Sequence, residues 1–345
     1  MPGLELIDEE ELEADDGDSK PVAYLLVPDV RALQQIESLW RHFLNGTIPY
    51  GYTPWREVFG LLRDLRPWGP SDRVRAQEGS ILSEEIEDQP DDYKVRLEVE
   101  LVYRANAAAA ARQVEAMRGE IAERGGQILS TARIDSISYD AMLVELPAVA
   151  VRRVILHEPD SIAGLEQVMH IRPQSVASSI DVVEGEAGAR VDVVNVNGDP
   201  ILAVLDGVPV AGHALLAQRI IIDDQFDLEP TTPVADRVHG TAMASLVIHG
   251  DRNKAGVPLT RPIHFVPVMG ASDKFPTDQL IVDVIYRAVL GMREGADATA
   301  PNVIIVNISL GNCNRRFQGQ MSAWARLLDQ LAYRFGILFI VYAAE

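Results

Sequence analysis

Three patterns predict an α/β protein: a parallel sheet with helices on both faces in the last part of the chain, a small α+β domain before it, and a separate N-terminal module. The first pattern is an alternation of short apolar strands with helical apolar spacing from Ile201 onward. The second is the element order β-α-β-β-α-β between Val95 and Ile171. The third is a pair of composition breaks, Glu5 to Asp18 and Gly79 to Asp92, where Glu and Asp crowd out apolar residues. At 345 residues, 47% of them hydrophobic, the chain has material for about two or three domains with ordinary cores.

Glu5 to Asp18, with Glu9-Glu10-Glu11 and Asp15-Asp16, carries too little apolar surface to offset the entropy of ordering it. A disordered acidic tail is therefore predicted over 1–20. The module at 21–78 opens with a strand at Ala23 to Val27, then places Leu33, Ile36, Trp40, Phe43 and Leu44 at helical spacing. Trp40, Trp55 and Trp68 all fall in it and read as packing residues. Its position ahead of the other domains suggests that it could bind an unidentified protein. Gly79 to Asp92, acidic and holding Pro90, reads as a linker over 79–92.

The domain at 93–175 begins with Val95 to Tyr103, which alternates apolar and polar like a half-buried strand. An alanine-rich helix follows at Ala107 to Glu123 and ends at Gly125-Gly126. Gln127 to Ile134 and Tyr139 to Leu146 read as strands, Ala148 to His157 as a second helix, and Leu165 to Ile171 as the last strand. This is a ferredoxin-like order that many unrelated domains share. A hydrophilic stretch with Gly185, Gly188 and Gly198 reads as a connector over 176–199.

The segment 200–345 has strands at Ile201 to Leu205, Ile263 to Val268, Val303 to Ile308 and Gly336 to Val341, with helices at Thr277 to Met292 and Ala323 to Tyr333. In such sheets chemistry collects at the carboxyl ends of strands, and Asp206 sits at one. Alone it would read as a turn aspartate capping the next helix. His239 precedes a helical stretch, Thr241 to Ile248, with Gly240 and Ala244 small enough for close packing. The run Val238-His239-Gly240-Thr241-Ala242-Met243-Ala244-Ser245 lies beyond Asp206, the two side chains being 33 residues apart. Ser309-Leu310-Gly311 then follows a buried strand.

Together these segments resemble the first part of a subtilisin-like serine peptidase, in the order acid, base, substrate-binding strand. The resemblance implies an incomplete subtilisin-like sheet that cleaves polypeptide by an Asp-His-Ser triad. A serine hydroxyl is a poor nucleophile until a base removes its proton, and His239 takes that role. Asp206 then orients the imidazole and stabilises its cationic form, which a helix N-terminus disfavours. Ser309, Leu310 and Gly311 are the edge that pairs with substrate backbone, Gly311 leaving space for it. His213 matches a non-catalytic histidine of the family. Where the family has Asp-Ser/Thr-Gly, this chain has Asp206-Gly207-Val208, so a neighbouring hydroxyl is missing while the carboxylate stays.

By its position, 93–175 resembles the family's propeptide, which assists folding and inhibits the active site. Its tail, within Arg172 to Ile180, is then expected to lie along the cleft as a tethered substrate-like strand, where tethering raises its effective concentration. Ile337 to Ala344 resembles the strand leading to the oxyanion-hole asparagine. Neither that asparagine nor a Gly-Thr-Ser-x-Ala/Ser segment occurs at the matching places in these 345 residues. The chain reads as truncated before its nucleophile, and peptidase activity is not expected of it alone.

A formal charge of −20 should repel phosphate backbones and argues against nucleic acid as the main partner. No apolar run approaches the ~20 residues of a membrane span, and no basic-plus-apolar leader opens the chain. With Cys313 as the single cysteine, a soluble cytoplasmic protein is expected. His239, His249, His264 and Asp251 lack zinc spacing, so no metal is assigned. Asp223, Asp224, Asp227 and Glu229 read as an acidic surface loop, calcium being the one cofactor such a loop could take. No nucleotide-binding glycine motif is present. The competing reading is a non-catalytic protein that binds peptide strands on a degenerate subtilisin-like domain.

Overall fold

The computed structural model describes residues 5–13, 19–26, 30–62, 68–174, 195–252, 254, 256–311 and 321–341. It divides into two compact units, Met1–Trp68 with Phe317–Ser322, and Gly69–Arg316 with Ala323–Glu345.

In the first unit, β1 (Glu5–Glu13) pairs antiparallel with β2 (Ser19–Leu26), from Glu5 opposite Leu26 to Glu13 opposite Ser19. The acidic segment predicted as disordered is thus a strand over 5–13. A ladder bonds backbone to backbone, so a partner strand can order a segment whose own composition carries no core. Two helices follow, α1 (Val30–Leu44) and α2 (Trp55–Leu61). Ile36, Leu39 and Phe59 are buried between them, and Trp40, Phe43, Tyr52 and Trp55 pack around that centre. The Trp40 ring meets Phe59 edge-on at 5.2 Å between centroids, a favoured aromatic geometry. Trp40 and Trp55 are packing residues, as expected.

The second unit begins inside the segment read as the N-terminal module and runs on through the one read as a linker. There, α3 (Pro70–Arg73) and α4 (Ala76–Ile86) are helices. Leu82 and Ile86, one turn apart, and Val74 are buried in the core of the small α+β domain, while Ser83, Glu84 and Glu85 face water. The Arg73 guanidinium donates to the carbonyls of Ala163 and Val168 at 2.7 and 2.9 Å. The boundary therefore moves from 79–92 to Gly69, because an i, i+4 apolar pair outweighs the acidic residues between its members.

That domain has the predicted order: β3 (Lys94–Leu101), α5 (Ala107–Glu123), β4 (Gln127–Ile134), β5 (Tyr139–Pro147), α6 (Ala148–Ile155) and β6 (Val168–Pro173). The strands form one antiparallel sheet in the order β4-β5-β3-β6. The Asn106 side chain caps α5 by accepting from the Ala109 N–H at 3.0 Å, and Gly125 ends the turn at a φ of 74°. Leu97, Val99, Met142 and Val144 face these helices.

The remaining elements build a second sheet: β7 (Leu202–Gly207), β8 (Ile220–Ile222), α7 (Val238–His249), β9 (Ile263–Met269), α8 (Ile281–Arg293), β10 (Ile305–Ile308), α9 (Ala323–Phe335) and β11 (Leu338–Val341). All five strands are parallel, in the order β11-β10-β7-β9-β8. Three-residue β8 is too short to show a period and was not foreseen. Val204 and Phe265 pack with Ala244 and Ile248 of α7, whereas Leu205, Val266 and Val306 pack in the core of α8 and α9. Both faces are covered, which is why these strands read as continuous apolar runs.

The polar face of β3, which alternation predicts as wet, is also covered. Tyr139, Ala141 and Leu143 of β5 share one core with Ile281, Val284 and Leu327 of α8 and α9. Glu98 and Glu100 are buried there. Arg172 and Arg326 donate to opposite oxygens of Glu100 at 2.5 and 2.8 Å, and the Tyr139 hydroxyl donates to Glu98 at 3.1 Å. Burial pushes the Glu100 carboxyl upward, but the two guanidiniums prevail and hold it well below the usual carboxylate range. The expected connector and the tail beyond Gln174 lie outside the described residues as far as 194, as do Cys313 and Tyr342 to Glu345.

Candidate active site

In a parallel sheet, side chains meet a ligand where the crossovers depart to opposite sides of a strand. Here that strand is β7, with β9 on one flank and β10 on the other. Leu205 pairs with Ile308, so Asp206 and Ser309 are the next residues at adjoining carboxyl ends. The register with β9 shifts between Asp206 and Gly207, an irregularity of the kind that re-aims a side chain at a strand end.

Asp206 is fully buried. Its Oδ1 accepts from the Gly207 N–H at 2.6 Å and faces His239 Nδ1 at 2.6 Å, so Nδ1 carries the proton of that bond. Burial raises the Asp206 carboxyl above its ordinary value, with the bonds from His239 and Gly207 opposing the rise. Oδ2 is buried and accepts no hydrogen bond among the described residues; Gly207 brings no hydroxyl to it.

His239 is the second residue of α7 and is buried. Two neighbours explain how the helix comes so close to the strand end. A Cβ on Gly240 would stand 1.9 Å from the Gly207 carbonyl oxygen, so only glycine permits the approach. One turn on, the small side chain of Ala244 is buried against the sheet. A carboxylate on Nδ1 orients the imidazole and stabilises its protonated form, so the pair can act as a general base through Nε2.

The Ser309 hydroxyl donates to Asn307 Oδ1 at 2.9 Å, and Leu310 is buried in the core shared with α8 and α9. Ser309 is thereby bonded along its own strand. His213 is exposed, its Nδ1 accepting from the Leu215 N–H at 3.3 Å.

The acidic loop is engaged with protein donors. Asp223 Oδ2 accepts from Thr299 and Gln225, each at 2.7 Å, and from His264 Nε2 at 3.1 Å. Burial raises the Asp223 carboxyl, but these bonds outweigh it and bring it down to about 2. Asp224 accepts from the N–H groups of Leu228 and Glu229 at 2.9 and 2.8 Å, and Glu229 from Arg237 at 3.3 Å. Among the described residues no group of three or more His, Cys, Asp or Glu forms a metal site. The Asp223–His264 pair was missed by sequence reasoning. Its one signal is a histidine inside the apolar run Ile263 to Met269, since a buried imidazole needs a polar partner.

Compared with known families, residues 197–344 match the model described as Subtilase family, Peptidase_S8. The match spans β7 to β11 and includes Asp206, His239 and Ser309 to Gly311. No curated protein matches the chain.

Proposed function

We propose, from the match of residues 197–344 to the subtilase family model, a serine endopeptidase in which Asp206 orients His239 as the general base. The observation that carries this reading is the buried 2.6 Å contact between Asp206 Oδ1 and His239 Nδ1 at the carboxyl end of the central strand. As a serine oxygen bonds to the peptide carbonyl carbon, His239 Nε2 takes the hydroxyl proton, and Asp206 stabilises the imidazolium. The C–N bond then breaks, and the proton leaves with the amine. Water releases the acyl group by the same base. Ser309, Leu310 and Gly311 pair with the extended substrate backbone.

No Gly-Thr-Ser-x-Ala/Ser segment occurs in the 345 residues, so residues 1–345 by themselves hold acid and base without a nucleophile. Purified 1–345 should not hydrolyse unfolded casein above background. A chain extended through the nucleophile should label with a fluorophosphonate and lose the label on His239→Ala; labelling that survives the substitution would remove His239 from the mechanism. The alternative reading is a peptide-binding protein without turnover, which an extended chain that binds peptide and never labels would support.

The small domain, redrawn as 69–174, acts in this proposal as an intramolecular inhibitor that resembles a propeptide. Its support is the core shared with α8 and α9 and the Arg326–Glu100 ion pair. The Gln174 side chain also donates to the carbonyls of Thr277 and Gln279 at 3.1 and 3.2 Å, just ahead of α8. The N-terminal module is proposed to dock a protein partner, and a pull-down with the full chain that loses a partner on deletion of 1–68 tests this. Among the described residues no helix is long and apolar enough to cross a membrane. A cytoplasmic site of action is proposed on the single cysteine alone.

A further inference from the structure

We propose that Thr241 is a positioning residue that fixes the helix of the base against the strand of the acid. This rests on reading Asp206 and His239 as an acid–base pair. Thr241 Oγ1 accepts from the Val210 N–H at 2.9 Å and donates to the Arg237 carbonyl. Val210 lies on the loop that continues from Asp206, and Arg237 is the residue from which α7 starts. One hydroxyl, used both as acceptor and as donor, therefore joins the two segments that carry the pair.

Three features make this tie matter. Gly240 lets the helix approach the Gly207 carbonyl, but a steric contact of that kind limits distance without fixing lateral position. A second side-chain link from α7 to this loop, His249 Nε2 to the Leu215 carbonyl at 2.9 Å, sits at the far end of the helix. Asp206 itself is bonded to Gly207 and His239 through Oδ1 alone, its buried Oδ2 having no partner among the described residues, so no bond at Oδ2 helps to hold the plane of the carboxylate. Alignment of Oδ1 with Nδ1 must then come from the backbone segments that Thr241 joins, and small misplacements at such a pair are costly to its chemistry.

The test uses residues 1–345 and needs no turnover. The strongly deshielded Nδ1–H proton of His239 is followed by NMR in histidine-labelled protein, assigned by its loss in Asp206→Asn. Thr241→Val keeps the branched shape and removes both hydrogen bonds, and it should lose this signal to water exchange. Thr241→Ser restores the hydroxyl and should retain the signal. Backbone amide spectra check folding, and Thr241→Ala is read in place of a valine variant that does not fold. A valine variant with an unchanged signal, or a serine variant that loses it as valine does, would overturn the role of the hydroxyl. A parent spectrum without any Asp206-dependent signal would overturn the acid–base reading itself, and the role of Thr241 with it.

Discussion

Two aspartate–histidine pairs sit on the same parallel sheet and differ in what each carboxylate has left over. Asp206 meets His239 across a strand end and a helix start, with Oδ1 taking both bonds and Oδ2 none among the described residues. Asp223, at the end of β8, meets His264 on the neighbouring β9, and its Oδ2 also takes Thr299 and Gln225. Burial raises the first carboxyl; hydrogen bonds bring the second down to about 2. The same two residue types thus serve opposite ends. A carboxylate oxygen with three donors ties β8, β9 and the loop at Thr299 together, whereas Asp206, with one oxygen unpartnered among the described residues, directs its bonding at the ring it faces.

The largest expected effect breaks the first pair. In a chain carrying the nucleophile, Asp206→Asn should lower turnover by about 10⁴, the size seen when a triad histidine loses its oriented tautomer. Folding stability at neutral pH should be unchanged or slightly higher, because burial already opposes the ionised Asp206. Denaturant melts and single-turnover rates on the same preparation separate the two quantities. A smaller effect of opposite character is expected for Asp223→Asn. Stability should fall by about 1–3 kcal/mol as the Thr299 and His264 groups lose an ionised acceptor, with activity per folded molecule retained. If Asp223→Asn abolished turnover while leaving the melt unchanged, the division into a working pair and a locking pair would be wrong.

The two pairs were also unequally legible. His239 announces itself through Gly240 and Thr241, neighbours whose sizes and hydroxyl the local packing demands. His264 has no such neighbours, and its partner is 41 residues away behind a three-residue strand too short to show a pattern. The fold divides along the same line. Helix α5 begins and ends as predicted because Asn106 and Gly125 are local signals. The face of β3 bearing Glu98 and Glu100 was misread as wet because its cover includes Arg326, 226 residues from Glu100. Likewise β1 depends on a partner strand and α4 on a sheet, and neither partner is visible in the acidic segments that composition marked as tail and linker.

The smallest effect, and the sharpest test of the comparison, is pH dependence in 1–345. Asp223 is ionised in the folded state down to about pH 2, below its unfolded value of roughly 3.9. Its contribution is therefore fully present above pH 4 to 5 and is lost as pH falls from about 4 toward 2. Asp206 runs the other way, since a raised carboxyl costs stability as pH climbs from the unfolded value through the folded one. Asp223→Asn should flatten the acid limb of the stability curve, and Asp206→Asn should steepen it. A third group separates from both by its window. Burial, then the nearby Arg172, Arg75 and Arg326, holds His170 well below its ordinary value, although Glu100 opposes the shift. Stability from a neutral His170 is present above about pH 6.5 and declines below it, so a loss between pH 6.5 and 5 that persists in both aspartate variants belongs to the small domain. Melts of the three proteins at half-unit steps from pH 7 to 2 assign each limb. Identical acid limbs in Asp206→Asn and Asp223→Asn would mean that the two carboxylates are held alike, and the contrast between them would fail.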